Sequence, residues 1–290
     1  MNYTIYNKTS EDMSDLKDES ISCIFSSPPY ALAKDYEVKE AIGMSDEVDA
    51  YNTYLRRMLV VFRECFRVLQ PGRHIGINIG FVIQSDKHGR ERKPLPFHIF
   101  TLLRKCGFLF EEQIIWRKSS GMSSQKRFGV FIQNPYPTYY HPGQIYEPIL
   151  IFKKPGHYKL TDKQKEQNKL NYKAFTPYQD DVWYIPADTQ TEHPAPFPVG
   201  LPKVFFQLYS LKGETVLDCF GGSGTSMIAS RIIRRNCILY EINPNYINLI
   251  LERCVFATKN QNTLEVFDKE LSNEDTIEVI RNEKDNSSSK

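Results

Sequence analysis

The chain has 290 residues, 41% hydrophobic and 25% charged, which is ordinary globular usage and excludes a largely disordered protein. No apolar run approaches the roughly 18 residues of a membrane-spanning helix, and the polar, acidic N-terminus lacks a signal-peptide pattern, so a cytoplasmic location is expected. Net charge is only +2, but residues 262–290 hold eight acids and four bases; a mildly basic body therefore carries an acidic tail, expected to be frayed. The six cysteines stand singly in apolar segments without a CxxC, so they read as reduced and buried, and no metal site is expected.

In chain order, Tyr3–Tyr6 and Ile21–Phe25 are short β-type runs. From Val48 to Leu69, the residues Tyr51, Leu55, Met58, Phe62, Phe66 and Leu69 recur at steps of three and four, which predicts a helix. Ser45 is its candidate cap, Asp46 and Glu47 suit its first turn, and Pro71-Gly72 its end. His74–Ile83 is strand-like, residues 84–95 form a basic loop, and Pro96–Lys105 is a helix. Phe108–Trp116 and Glu147–Phe152 are further strands. Thr215–Phe220 (strand), Thr225–Arg234 (helix), Cys237–Ile242 (strand) and Asn243–Ala257 (helix, with Pro244 in its first turn) complete the series. Such alternation predicts an α/β protein with a mostly parallel central sheet and helices on both faces. Residues 117–146 and 153–195 break the pattern as long polar insertions, a feature usually tied to function.

Two turns carry chemistry. In Val216–Met227 (VLDCFGGSGTSM) a strand ends at Asp218, a Gly-rich turn follows and a helix opens at Thr225. Gly221, Gly222 and Gly224 permit positive φ and close approach to a ligand at the strand's carboxyl end. There is no Gly-Lys-Ser/Thr for a P-loop, and GGSGTS is not GxGxxG. The next strand ends at Glu241, placed to accept both hydroxyls of a ribose. Turn and carboxylate together suggest a nucleoside ligand without a phosphate cradle, such as S-adenosylmethionine. Upstream, the strand Ile21–Phe25 leads into Ser26-Ser27-Pro28-Pro29-Tyr30. Proline stiffens the turn and lacks an N–H, so the turn offers carbonyls, the Ser27 oxygen and the flat face of Tyr30. Acceptors beside an aromatic plate suit an exocyclic amine on a planar ring.

Ser27-Pro28-Pro29-Tyr30 and Asp218-Cys219-Phe220-Gly221-Gly222-Ser223-Gly224-Thr225 resemble the catalytic and cofactor motifs of the DNA amino-methyltransferases, in the β-type order with the catalytic motif first. Phe62–Arg73, Glu147–Lys154, His193–Pro198 and Tyr240–Tyr246 fall in register, and the resemblance spans roughly residues 3–257. It departs at Asn7-Lys8-Thr9-Ser10, where members often carry a Gly-Asp pair that helps hold the adenine end, and at Cys219, where many have Pro.

The resemblance implies a Rossmann-like methyltransferase fold, S-adenosylmethionine as cofactor, and cofactor contacts from Asp218, Phe220, Gly222, Ser223, Gly224, Thr225 and Glu241. Ala195 and Phe197, in the segment that closes over the methionine end, join them. It makes Ser27, Pro28, Pro29 and Tyr30 the catalytic turn, and Ser at its first position goes with cytosine N4. Adenine N6, RNA, a protein glutamine, and a non-catalytic nucleoside- or nucleic-acid-binding module are the alternatives.

Duplex DNA as partner requires base flipping and a basic surface, for which Arg90, Arg92, Lys93, Lys118, Lys126 and Arg127 are candidates. The implied organisation is a methyltransferase domain over residues 1–258, with a catalytic half to 154, a target-recognition insert at 155–190 and a cofactor half from 191. The acidic tail is 259–290. Membership of a restriction–modification pair admits a cognate endonuclease; a monomer or homodimer is expected.

Overall fold

A computed structural model describes residues 1–30, 41–42, 49–86, 89–118, 136–138, 144–186, 197–259 and 275–281. In chain order the strands are β1 (Asn2–Asn7), β2 (Ile21–Ser26), β3 (Leu69–Asn78), β4 (Val82–Asp86), β5 (Gly89–Lys93), β6 (Leu109–Arg117), β7 (Tyr146–Lys153), β8 (Val182–Tyr184), β9 (Thr215–Asp218), β10 (Asn236–Tyr240) and β11 (Thr276–Arg281). The helices are α1 (Ala50–Val68), α2 (Leu95–Lys105), α3 (Asp162–Gln167), α4 (Tyr172–Phe175), α5 (Gly200–Tyr209), α6 (Thr225–Ile232) and α7 (Pro244–Lys259). Among the described residues, one sheet runs β11-β1-β10-β9-β2-β3-β7-β6-β8, and only β7 is antiparallel to its neighbours.

Alternation along the strands builds two cores. Ile24, Ile75, Ile77, Leu150, Phe152 and Leu217 face α1 and α2, which contribute Met58, Phe62, Ile99 and Leu103. Their sequence neighbours Cys23, Phe25, Ile149, Ile151 and Val216 face α5, α6 and α7, which contribute Phe205, Phe206, Met227 and Ile250. Strands buried on both faces read as continuous apolar runs, as parallel sheets do. Each large side chain so buried contributes about 1.5–3 kcal/mol of transfer free energy.

Several elements differ from the sequence expectation. α1 stops at Val68 and the chain turns straight into β3; Leu69 is extended (φ −74, ψ 135) and pairs with Ile21. Pro71-Gly72 thus lies in a strand rather than ending the helix. The helix end is held instead by buried Lys154, whose Nζ donates to the carbonyl of Leu69 at 2.8 Å. Ser45, Asp46 and Glu47 lie outside the described residues. The expected strand His74–Ile83 divides, and the basic loop after it is the β4–β5 hairpin. Helix α5 was not expected; its buried Leu201, Val204, Phe205 and Phe206 line one stripe under β2.

The polar segment 155–190 is not wholly an insertion. Val182–Tyr184 extends the sheet beside β6. Its first part packs at the amino ends of the strands: the Arg73 guanidinium lies 3.5 Å from the Tyr158 ring, and Lys212 N–H donates to Asn168 at 2.8 Å. The tail is not wholly frayed either. β11 pairs in parallel with the whole of β1, Ile277 and Val279 pack on the core, and Asp275 holds the N-terminal amine at 3.1 Å. The period-2 alternation of Thr276–Arg281 was outweighed in the sequence by the charges around it. No described helix is long and apolar enough to cross a membrane.

Candidate active site

The order β1-β10-β9-β2 sets four chain segments side by side at the carboxyl edge of the sheet. Lys8–Ser10 follows β1, Glu241–Asn243 follows β10, Cys219–Ser223 follows β9 and Ser27–Tyr30 follows β2. They line one cleft of about 830 Å³, counting the space open at its mouth. A crevice at the carboxyl ends of the strands is where open α/β sheets bind small molecules. The two motifs meet because β2 and β9 are neighbours, with Cys23 opposite Val216 and Ile24 opposite Leu217.

Asp218 braces this junction. Its Oδ1 accepts from Ser26 Oγ at 2.5 Å and from the Phe220 N–H at 3.1 Å, and its Oδ2 accepts from Ser226 Oγ at 2.6 Å. It is fully buried behind the cleft and does not line it. Burial pushes its carboxyl up to about 6, against the pull of those donors. Gly224 is also behind the cleft: it starts α6 at φ +76, and a Cβ there would meet Ile250 Cγ2 at 2.8 Å. Of the residues named from sequence as cofactor contacts, Phe220, Gly222, Ser223, Thr225, Glu241 and Phe197 do line the cleft. Ala195 lies outside the described residues.

Glu241 sits mid-cleft. Its Oε2 accepts the Gly222 N–H at 2.7 Å and its Oε1 the Asn243 N–H at 2.8 Å, so the Gly-rich turn is clamped onto the end of β10. Burial pushes this carboxyl up to about 7. Each oxygen keeps a lone pair for a hydroxyl. Asn7 Nδ2 fixes the same turn from β1, donating to the Glu241 carbonyl at 3.0 Å.

Sequence reasoning missed Ser10. Its Oγ is buried, lines the cleft and meets no hydrogen-bond partner among the described residues. Nothing in the polar run Lys8-Thr9-Ser10-Glu11 signals this; the neighbourhood of β1 and β10 creates it. A mid-cleft carboxylate, an unmet hydroxyl one strand away and a wall of Phe220, Tyr240 and Phe197 fit a nucleoside with a cationic substituent.

At the opposite end of the cleft Pro28 is buried, and Ser27, Pro29 and Tyr30 are half-buried. A Cβ on Gly80 would stand 3.4 Å from Tyr30 Cε1, so the ring leans on the end of β3.

The expected DNA contacts are only partly displayed. Lys118 turns inward, ion-paired with Glu147 and 5.0 Å from the Trp116 ring centroid, which argues against a phosphate contact. Lys93 pairs with Glu91 and lies 5.6 Å from the Tyr51 ring, while Arg92 is exposed on the hairpin. The Arg90 side chain, Lys126 and Arg127 lie outside the described residues. The start of segment 155–190 is at the wrong end of the strands for a duplex held over the cleft.

The chain matches the DNA methylase family over residues 21–252. It is 31% identical to the type II methyltransferase M.MthZI of Methanothermobacter thermautotrophicus, over 96% of this chain and 82% of that one. It is 28% identical to M.MjaI of Methanocaldococcus jannaschii, over 87% and 91%. Among solved structures, a Thermus thermophilus protein described as a DNA modification methylase, complexed with S-adenosyl-L-methionine, superposes with a TM-score of 0.74 at 26% identity, over 96% of this chain and 98% of that one. The PvuII DNA methyltransferase (cytosine-N4-specific) shares the fold at a TM-score of 0.67 and 18% identity, over 97% and 95%. The chain therefore belongs to the DNA methylase family and is an S-adenosylmethionine-dependent DNA methyltransferase of the restriction–modification type.

Proposed function

We propose that the chain methylates the N4 amino group of cytosine in duplex DNA, as the modification enzyme beside a cognate restriction endonuclease in the cytoplasm. The observation that carries this reading is the shared cleft, in which the Ser27–Tyr30 turn and the Glu241–Gly222 clamp line one space. Ser27 selects cytosine in this reading through the family resemblance, in which Ser at that position goes with N4.

In this reading the cofactor lies along the strand order β1-β10-β9. Glu241 accepts the ribose hydroxyls, Ser10 and its neighbours after β1 take the adenine end, and the turn after β9 with Phe197 takes the methionine end. When bound, S-adenosylmethionine supplies an electrophilic methyl group on a sulfonium, which needs no metal. The chain's task is then to present a weak nucleophile, because the amine lone pair is delocalised into the base. Ser27 Oγ and the Pro28 carbonyl accept the two N–H bonds and favour a pyramidal nitrogen with its lone pair in line with the methyl. Those hydrogen bonds strengthen as positive charge develops on nitrogen, so they act selectively in the transition state. Tyr30 stacks on the extruded base, and the surplus amine proton leaves to water.

The test is product identity. The protein is incubated with labelled cofactor and bacteriophage DNA, the DNA is digested to nucleosides, and the labelled one is identified by mass spectrometry. N4-methylcytosine is expected; N6-methyladenine alone rejects the reading.

A further inference from the structure

Beyond the cleft, the carboxyl edge continues across β3, β7 and β6 and carries a second polar constellation. Asn78 ends β3, Glu147 stands at the start of antiparallel β7, and Lys118 follows β6. Asn78 Nδ2 donates to Glu147 Oε2 at 2.9 Å, and Lys118 pairs with Glu147 Oε1. Asn78 is 1% exposed, and its Oδ1 has no hydrogen-bond partner among the described residues. A partly buried ion pair adds little net stability, so this one points to another role. An ammonium held this way by Glu147, with N–H bonds to spare among the described residues, invites a ligand that offers acceptors.

Its position says which one. A Cβ at Gly80 would touch Glu147 Cγ at 3.2 Å and Tyr30 Cε1 at 3.4 Å, so Glu147 and the catalytic tyrosine border the same glycine from two sides. Strands stand about 4.8 Å apart, which puts β6 about 14 Å from β2, a span that a pyrimidine and a lysine side chain fill end to end. A base with its amine at Ser27 and its face on Tyr30 extends one ring edge toward β3, β7 and β6. In cytosine the edge beside the amine carries two acceptors, N3 and O2.

We propose that Lys118 donates to this N3–O2 edge of the extruded cytosine, with Glu147 and Asn78 as the residues that position its ammonium group. Lys118 has three N–H bonds; Glu147 engages one and aims the others. The inference rests on the cytosine reading and assigns Lys118 to the base rather than to the phosphate backbone.

The test uses Lys118→Met, Lys118→Arg and Glu147→Gln in the full chain, with bacteriophage DNA as substrate. Losing a charged hydrogen bond should lower kcat/KM for DNA roughly 10- to 100-fold in Lys118→Met. Lys118→Arg should recover part of the loss, and Glu147→Gln should show the same defect in smaller size. Cofactor affinity, thermal midpoint and the salt dependence of DNA binding should stay at wild-type values. A salt slope reduced by about one would make Lys118 a phosphate contact; a matching fall in thermal midpoint or cofactor affinity would make it structural; unchanged kcat/KM would remove any role. Each of these overturns the proposal. The product nucleoside is read in the same wild-type reactions. N6-methyladenine rejects the cytosine reading and the O2 contact with it, whereas N4-methylcytosine with an unimpaired Lys118→Met rejects the lysine assignment alone.

Discussion

Ser26 Oγ donates to Asp218 Oδ1 at 2.5 Å, joining the last residue of β2 to the last residue of β9 across 192 positions of sequence. Through this bond the Ser27–Tyr30 turn and the Gly-rich turn, each beginning one residue later, are held in fixed register. Asp218 thus braces two turns from behind the cleft and does not line it.

Replacing Ser26 with Ala leaves a buried carboxylate short of a donor and should cost about 1–3 kcal/mol. The loss depends on pH. Burial holds the Asp218 pKa near 6 in the folded state, above its ordinary 3.8, so this residue's stabilising share is full below about pH 4 and declines as pH rises to 6. Removing the donor raises the folded pKa further. Urea denaturation should therefore show Ser26→Ala close to wild type at pH 4.5 and most destabilised above pH 7. An equal loss at both would contradict the assignment.

With Glu241 as the proposed ribose acceptor, cofactor affinity should depend on pH. Its carboxyl titrates near 7, and only the ionised form accepts two hydroxyl hydrogen bonds while keeping both backbone donors. Affinity should fall about tenfold between pH 8 and pH 6, following the ionised fraction. Glu241→Gln should bind weakly and with a flat profile. Isothermal titration calorimetry across this range reads both.

The two turns that meet in the cleft were legible because each is one continuous run: Pro28-Pro29 and Gly221–Gly224 announce their geometry locally. The alternating elements of the sheet were legible for the same reason. What stayed hidden is set by distant neighbours. Ser10 looks like any polar turn residue until β10 is laid beside β1. Lys118 looks like a surface cation until Glu147 is brought under it by an antiparallel strand. Helix α5 was obscured because Gly200 and Pro202 stand in its first turn, where they read as loop. β11 was obscured because only Ile277 and Val279 carry its inward face amid acidic residues.

Removing residues 275–290 should now destabilise the protein. It strips β11 from β1, takes Ile277 and Val279 from the core and breaks the ion pair of Asp275 with the N-terminus. Partial burial of two aliphatic side chains amounts to about 2 kcal/mol, and in a chain of this length that is a fall of about 3 °C in Tm. Calorimetry showing an unchanged Tm would mean that the strand adds nothing to the sheet.

Gly224→Ala separates shaping the turn from touching the ligand. The added Cβ would sit at φ +76 and 2.8 Å from Ile250. A loss of about 1–3 kcal/mol in urea denaturation is expected, with cofactor affinity reduced less than in Gly222→Val, which alters the cleft wall itself. The reverse order of the two affinities would move Gly224 into the binding surface.

The central claim is that Ser27 acts on the amine in the transition state, and single-turnover methyl transfer by Ser27→Ala tests it most directly. Enzyme in excess over DNA, preloaded with labelled cofactor, reports the chemical step apart from binding and release. Removing a transition-state hydrogen-bond partner should slow that step by about 10²–10³-fold, while calorimetric cofactor affinity and DNA affinity stay within about twofold of wild type. A single-turnover rate near wild type, or a loss of cofactor affinity as large as the loss of rate, would contradict it.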